Sequence, residues 1–356
     1  MGYKLSIQTP SAEEQLQFLH KIQRLLDEGQ FTSTYKFALL IALADLSVEK
    51  SDGSGAEMVL NSREIAEKFI QLYWRQVIPF PVLKGEGGIL FQNTDHQAAI
   101  INRITTDYSQ TTCGLMSWMG NRAEYRKLVT DVAGTVRDMP LWRLQRIGNQ
   151  IDDFLYENIG RGGEITLRSG VAYCMRQFHG QIISMVQGVW VQWIRKIRKN
   201  QKLLGQSTDL ADFLFGSERN ALSSYLPVLQ DTQSNHCFYC KQEIKGSGEV
   251  DHFIPWSRYP VDLGHNFVLA HKSCNGSKGS VLADIPHLEH WQERNEQYGD
   301  ALVDFFDDNG LVHDLPSSNA IVSWAYEQAE HAGAHLWSSR SCDLMVADHS
   351  WSQVVG

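Results

Sequence analysis

Cys237 and Cys240 in "CFYC", and His271 and Cys274 in "HKSC", form two pairs, each with two residues between its members. That spacing lets both side chains of one turn reach a single ion. Three thiolates and an imidazole are the donors of a closed, tetrahedral, structural zinc site. His236 competes with His271 for the fourth place, but it adjoins Cys237, and adjacent side chains diverge. A redox C-x-x-C pair would want a strand and a helix N-terminus in a βαβ setting, which the flanking pattern lacks. Between the pairs lies "EVDHFIPWSRYP", where a short apolar strand pattern ends in Asp251 and His252 and Pro255 turns the chain. An acid and an imidazole side by side at the mouth of a turn ask for an explanation.

The elements around them supply part of it. Asn266, in "GHNFVLA", opens a second apolar strand, and Asn275 directly follows the last cysteine. Strand, loop, strand and helix would gather Asp251, His252, Asn266 and Asn275. Zinc would act as the clip, because so small a segment buries too little to hold its own geometry. Residues 235–282, rich in glycine and short strand patterns, thus read as a compact insert between helical segments. "EEQLQFLHKIQRLL", "YKFALLIALADL" and "SREIAEKFIQLYWRQ" place apolar residues three or four apart, predicting helices within 11–48 and 61–78. Ser62 has Ile65 three residues on, so no capping box marks that start. "SDGSGAE" is a loop, "IPFPVLKGEGG" another, and "GRGGEITLRSG" a turn with a short strand. A last long helix over 174–203 carries Trp190, Trp193, Ile194 and Ile197 on one side. Arg195, Arg198, Lys199 and Lys202 line another, as a track for a phosphate backbone or as a solvated face at the negative end of the helix dipole. "HLEHWQERNEQYGDALVDFFDD" and "NAIVSWAYEQAEHAG" return to helix.

Charge is unevenly spread over the 356 residues. The net charge is -9, yet residues 281–356 hold 13 acidic side chains against two basic ones, Arg294 and Arg340, leaving residues 1–280 at +2. The acidic balance therefore does not exclude a nucleic-acid partner for the first 280 residues, and the acidic segment reads as a solvated helical surface. No run is long and apolar enough to span a membrane, and "MGYKLSIQTPSAEEQ" has no signal-peptide core. A cytoplasmic protein is expected. Cys113, Cys174 and Cys342 are scattered in apolar surroundings and read as reduced core thiols.

From Cys237 to Ser280 the chain resembles the HNH endonuclease family of the ββα-metal type, in its zinc-supported form. The D-H dipeptide, the central Asn, the final Asn and both zinc pairs occur in order. The resemblance implies that His252 is the general base that activates a water, that Asp251 and Asn275 coordinate a catalytic Mg²⁺ or Mn²⁺, and that Asn266 orients the loop carrying the base. These residue types suit the work: a free imidazole titrates near neutrality, and a carboxylate with an amide oxygen makes a hard, incomplete ligand set that leaves room for a phosphate oxygen. Asn275 stands where the family's name has its last His. Lys278 and Arg258 would contact phosphate or simply face solvent. His265 and His236 read as packing or surface residues, and Trp256 as core.

The fold class expected is mainly α: a helical region over 1–230, an HNH insert with its zinc knuckle over 231–285, and an acidic helical segment over 286–356. The expected activity is metal-dependent phosphodiester hydrolysis, with DNA as substrate and RNA as the alternative. A zinc-stabilised nucleic-acid-binding module without catalysis is the rival class, although pure binding has no need of Asp251, His252 and Asn275 together. A RING-like interaction module would show eight ligands. The helical region would recognise substrate, bind a protein partner or restrain the nuclease. HNH proteins with large helical extensions resemble prokaryotic phage-defence or mobile-element nucleases.

Overall fold

The computed structural model describes residues 9–81, 87–109, 119, 122–157, 162–204, 210–216, 222–339 and 345–355. Cys113, Cys342 and Arg340 lie outside the described residues. The chain forms two compact units, residues 1–115 with 122–217, and residues 116–121 with 218–356.

The first unit is built around α2 (Tyr35–Lys50), which follows α1 (Ala12–Glu28). "FALLIALADL" is apolar on nearly every side, so a helix formed from it must be central, and Phe37 to Ala44 are buried without exception. Strand β1 (Met58–Asn61) leads into α3 (Ser62–Trp74). A capping box does open α3, one residue earlier than Ser62: Asn61 accepts the N–H of Glu64 at 3.0 Å, and the Glu64 carboxylate accepts the N–H of Asn61 at 3.0 Å. Helices α4 (Ala99–Ser109) and α5 (Arg122–Asp138) follow. A hairpin of β2 (Arg146–Ile147) and β3 (Gln150–Ile151) precedes β4 (Glu164–Leu167). The strand expected in "GGEITL" is β4, and it pairs antiparallel with β1, Asn61 opposite Glu164.

The helix expected over 174–203 is interrupted twice. Helix α6 (Val171–Gln177), which carries the buried Cys174, gives way at Phe178 to α7 (His179–Lys196), and Ile197 then adopts an extended conformation. Buried Asn200 stabilises this second break by donating to the carbonyls of Ile194 and Phe91 and accepting the N–H of Phe91. Trp190, Ile194 and Ile197 are buried as the periodicity implies. The basic track loses its continuity: Arg195 ends α7, Arg198 sits in the turn, and Lys199 donates to the carbonyl of Asp95. Lys202 lies in the next helical turn, Gln201–Leu204. All four side chains are exposed. Helix α8 (Leu210–Phe215) closes the described part of this unit.

The second unit contains α9 (Leu226–Thr232), β5 (Glu249–His252), β6 (Phe267–Ala270), α10 (Lys272–Lys278), α11 (Ile285–Asp308) and α12 (Leu315–His331). The acidic segment, expected as a solvated helical surface, also contributes to this unit's core. Trp291 of α11 stacks on Phe253 with ring centres 5.5 Å apart and donates its indole N–H to the carbonyl of His265. Arg294 is buried and spans the carbonyls of Phe267 and His265, each at 2.6 Å, and burial brings its pKa down to about 9. One of that segment's two basic residues is therefore an internal pin.

His265 completes the same wall with 0 % exposure and, among the described residues, no hydrogen-bond partner on either ring nitrogen. Burial first, then the charges of Arg294 and His313, push its pKa down to about 3. The folded state thus refuses a proton that the unfolded state accepts near pH 6.5. Its stability is intact above that value and falls towards pH 3, by roughly 1.4 kcal/mol per pH unit. Urea midpoints for the second unit measured between pH 7.5 and 5.5, with zinc content checked at each pH, should decline. His265→Leu should flatten that decline; an equal slope in the variant would remove His265 as its cause.

Candidate active site and metal centre

Strands β5 and β6 run antiparallel, with Asp251 opposite Val268 and His252 opposite Phe267, and α10 follows directly. The strand, loop, strand and helix are in place. Side chains alternate along a strand, so Glu249 and Asp251 leave one side of β5 while His252 leaves the other. The adjacent acid and imidazole accordingly meet different partners.

Asp251 is 7 % exposed. Its Oδ2 accepts the Tyr239 hydroxyl at 2.6 Å and lies 3.0 Å from the Lys278 ammonium, which also donates to the carbonyl of His252 at 2.9 Å. Lys278, expected at phosphate or in solvent, is at neither: its side chain is 0 % exposed. Burial pulls its pKa down, and the charge on Asp251 opposes that. Tyr239 is fully enclosed, and burial, reinforced by Asp251, raises its pKa well above the usual phenol value, so it remains a donor. On the same side of the strand the Asn275 amide nitrogen donates to Glu249 at 3.1 Å. Among the described residues nothing donates to Oδ1 of Asp251 or Oδ1 of Asn275. One carboxylate oxygen and one amide oxygen are therefore left, the hard donors a divalent cation takes.

On the other side, His252 Nε2 lies 2.7 Å from Asp262 Oδ1. A carboxylate only accepts, so Nε2 carries the hydrogen, and in the neutral ring Nδ1 keeps its lone pair. Edge-on contacts with Phe267 and Trp256, ring centres 4.9 and 5.4 Å away, fix the plane of the imidazole. Trp256, expected in the core, is half-buried. Asn266 clamps the backbone two residues beyond His252: its Oδ1 accepts the N–H of Ile254 at 2.8 Å and its Nδ2 donates to the carbonyl of Ile254 at 3.1 Å. A side chain that meets both groups of one residue sets the path of the loop. Gly264 lets that loop approach α11, since a Cβ there would sit 2.6 Å from the Phe306 ring. Arg258 is half-buried in the same loop, with its Nε enclosed and unbonded among the described residues, and burial lowers its pKa.

The ligand atoms of Cys237, Cys240, His271 and Cys274 all lie within 4.8 Å of one another. Zinc–sulfur bonds of about 2.3 Å in a tetrahedron call for sulfurs about 3.8 Å apart, so these residues fit the ion. His271 Nδ1 is 3.3 Å from Cys240 Sγ, while its Nε2 donates to the carbonyl of Glu243 at 3.3 Å, the outer bond that orients a ligating imidazole. His236 is turned to the carbonyl of Ser234 and stays outside the cluster. Burial and the charge on Cys237 push the Cys274 thiol up to about 12. Three thiolates here require a cation among them. Lys241 closes the knuckle turn, donating its N–H to the carbonyl of Cys237 from a left-handed φ of 60°.

Asp262 and Glu249 do not stand out in the sequence. Period-two alternation from Asp251 points to Glu249, whereas Asp262, in an irregular loop, carries no local signal. Residues 15–214 match the family described as "Domain of unknown function (DUF8808)", and residues 237–280 match "HNH endonuclease". No curated protein and no solved structure matches the chain.

Proposed function

For a chain that belongs to the DUF8808 family and carries an HNH endonuclease domain at residues 237–280, we propose a metal-dependent nuclease that hydrolyses phosphodiester bonds in DNA. The observation that carries this reading is the polarised imidazole: His252 bound through Nε2 to Asp262, with Nδ1 unengaged among the described residues, on a strand whose other side carries Asp251, with Asn275 on the helix that follows β6. In the reaction, Nδ1 of His252 takes a proton from a water as the water oxygen bonds to phosphorus. The bond from phosphorus to the leaving sugar oxygen breaks, and that oxygen is protonated from solvent. Asp262 keeps the productive tautomer and stabilises the imidazolium that forms. Asp251 and Asn275 would hold Mg²⁺ or Mn²⁺ through their Oδ1 atoms. When bound, the cation offsets charge developing on the phosphate and the leaving oxygen. Lys278 and Tyr239 fix the Asp251 carboxylate, Asn266 fixes the loop that follows the base, and Arg258 would meet a phosphate oxygen.

The zinc is structural, and reduced thiols at its site suit the cytoplasm. No helix among the described residues is long and apolar enough to cross a membrane. Residues 1–230 take the recognition, partner-binding or regulatory role. Phage defence or mobile-element biology is the setting that the HNH resemblance suggests.

The test uses zinc-loaded full-length protein with supercoiled plasmid and Mg²⁺ or Mn²⁺. Nicked or linear product that disappears with EDTA is expected. Cleavage of single-stranded RNA alone would move the substrate from DNA to RNA. No cleavage of either would favour a binding module and overturn the enzymatic reading.

A further inference from the structure

The first unit has a recess of about 210 Å³ whose walls are the first turn of α2 and the segment Met139–Arg146. A bridge between Gly29 and Ile147 ties the chain on either side of it. Lys36 lines it and is 8 % exposed; it donates to the carbonyl of Arg146 at 3.3 Å and lies 5.4 Å from the centre of the Phe31 ring. Arg143 and Arg146 also line the recess. None of these three cations forms an ion pair with a carboxylate among the described residues. Burial first, then the charges of Arg143 and Arg146, lower the Lys36 pKa to about 8. Three unneutralised positive groups around one concavity repel one another and make a site that a negative group would stabilise.

The helix end adds to that field. Thr34, the N-cap of α2, spends its hydroxyl on Tyr73 at 2.6 Å and caps nothing. The N–H groups of Tyr35, Lys36 and Phe37 find no acceptor among the described residues. The positive end of a sixteen-residue helix therefore opens beside the three cations. Ser33 also lines the recess. A recess of about 210 Å³ lined by a buried lysine suits one terminal group better than a continuous strand.

We propose that this recess binds a phosphate monoester, held by Lys36, Arg143, Arg146 and the N-terminus of α2. The phosphate belongs to a free nucleotide or to the 5′ end of a nucleic acid. This site lies outside the HNH domain, and its test does not depend on nuclease activity.

Full-length zinc-loaded protein, without added Mg²⁺ or Mn²⁺, would be titrated calorimetrically with inorganic phosphate, a nucleoside 5′-monophosphate, and one oligonucleotide bearing a 5′-phosphate or a 5′-hydroxyl. Saturable binding of phosphate or the monophosphate supports the proposal with a small ligand. Tighter binding of the 5′-phosphorylated oligonucleotide than of its 5′-hydroxyl twin supports it with a nucleic-acid end. In either case Arg143→Gln/Arg146→Gln, which alters exposed side chains, should weaken binding at least about tenfold, as the loss of charge-assisted hydrogen bonds implies. Lys36→Met, which keeps the buried stem, should do the same. Absence of binding by every probe, or binding unchanged in both variants, overturns it.

Discussion

Cys240→Ala is expected to abolish zinc binding and to remove several kcal/mol from the stability of residues 218–356. Structural zinc contributes on the order of 10 kcal/mol in the smallest domains, and a whole domain is stable by only about 5–15 kcal/mol. The effect here is smaller than the upper figure, because the knuckle leans on a real core. Phe238 packs edge-on to Phe253, Phe253 stacks on Trp291, and the carbonyl of Tyr239 receives a hydrogen bond from His287 or Ser339 of the same unit. The sequence-based expectation that zinc alone holds the insert is thus modified by aromatic packing that the insert borrows from α11.

The same substitution should also disable the site next door. Tyr239 lies between the two knuckle cysteines and hydrogen-bonds Asp251. Disorder in the knuckle therefore frees the carboxylate and leaves buried Lys278 without a fixed counter-charge, a change of the kind that costs about 3–5 kcal/mol. Zinc content per chain, thermal melting and cleavage rate, measured on one preparation, should all fall in Cys240→Ala. One zinc per chain with an unchanged melting curve would refute the assignment of Cys240 as a ligand.

What could be read in the sequence follows the range over which each feature is encoded. The zinc pairs are local, two residues apart, and reading them needs only the reach of two side chains. Asp251, His252, Asn266 and Asn275 are ordered along a strand, a loop, a strand and a helix, so motif order stands in for geometry. The burial of Lys278 is not legible, because it depends on Tyr239 and β5, which lie well before it in the chain. Asp262 is hidden for a similar reason: nothing in "YPVDLGHN" distinguishes an acid that folds back ten residues to an imidazole from one that faces water. The break in the helix near Ile197 leaves no trace in the pattern because Trp190, Trp193, Ile194 and Ile197 keep helical spacing through it, while the determinant is Asn200 bonding to the distant Phe91. Arg294, counted among the charges of an acidic surface, is buried because two backbone carbonyls of the site need its donors.

On the proposed reaction, His252→Ala should lower the single-turnover rate by about 10²–10⁴-fold, the usual contribution of a positioned general base. Asp262→Asn tests the same imidazole from its other nitrogen and should cost at least tenfold. An amide can donate as well as accept, so the substituted side chain would let the ring place its hydrogen on Nδ1, where the base needs a lone pair; it also supplies no charge to stabilise an imidazolium. Both side chains of the pair are largely buried, so melting is measured beside the rates to separate misfolding from lost chemistry. DNA affinity and zinc content should stay at wild-type values in both variants. Added imidazole should restore part of the rate in His252→Ala, where a cavity and Asp262 remain to receive it, and none in Asp262→Asn, where the ring is present but wrongly protonated. A wild-type rate in Asp262→Asn would reduce the 2.7 Å contact to a structural bond. A wild-type rate in His252→Ala would move the base elsewhere.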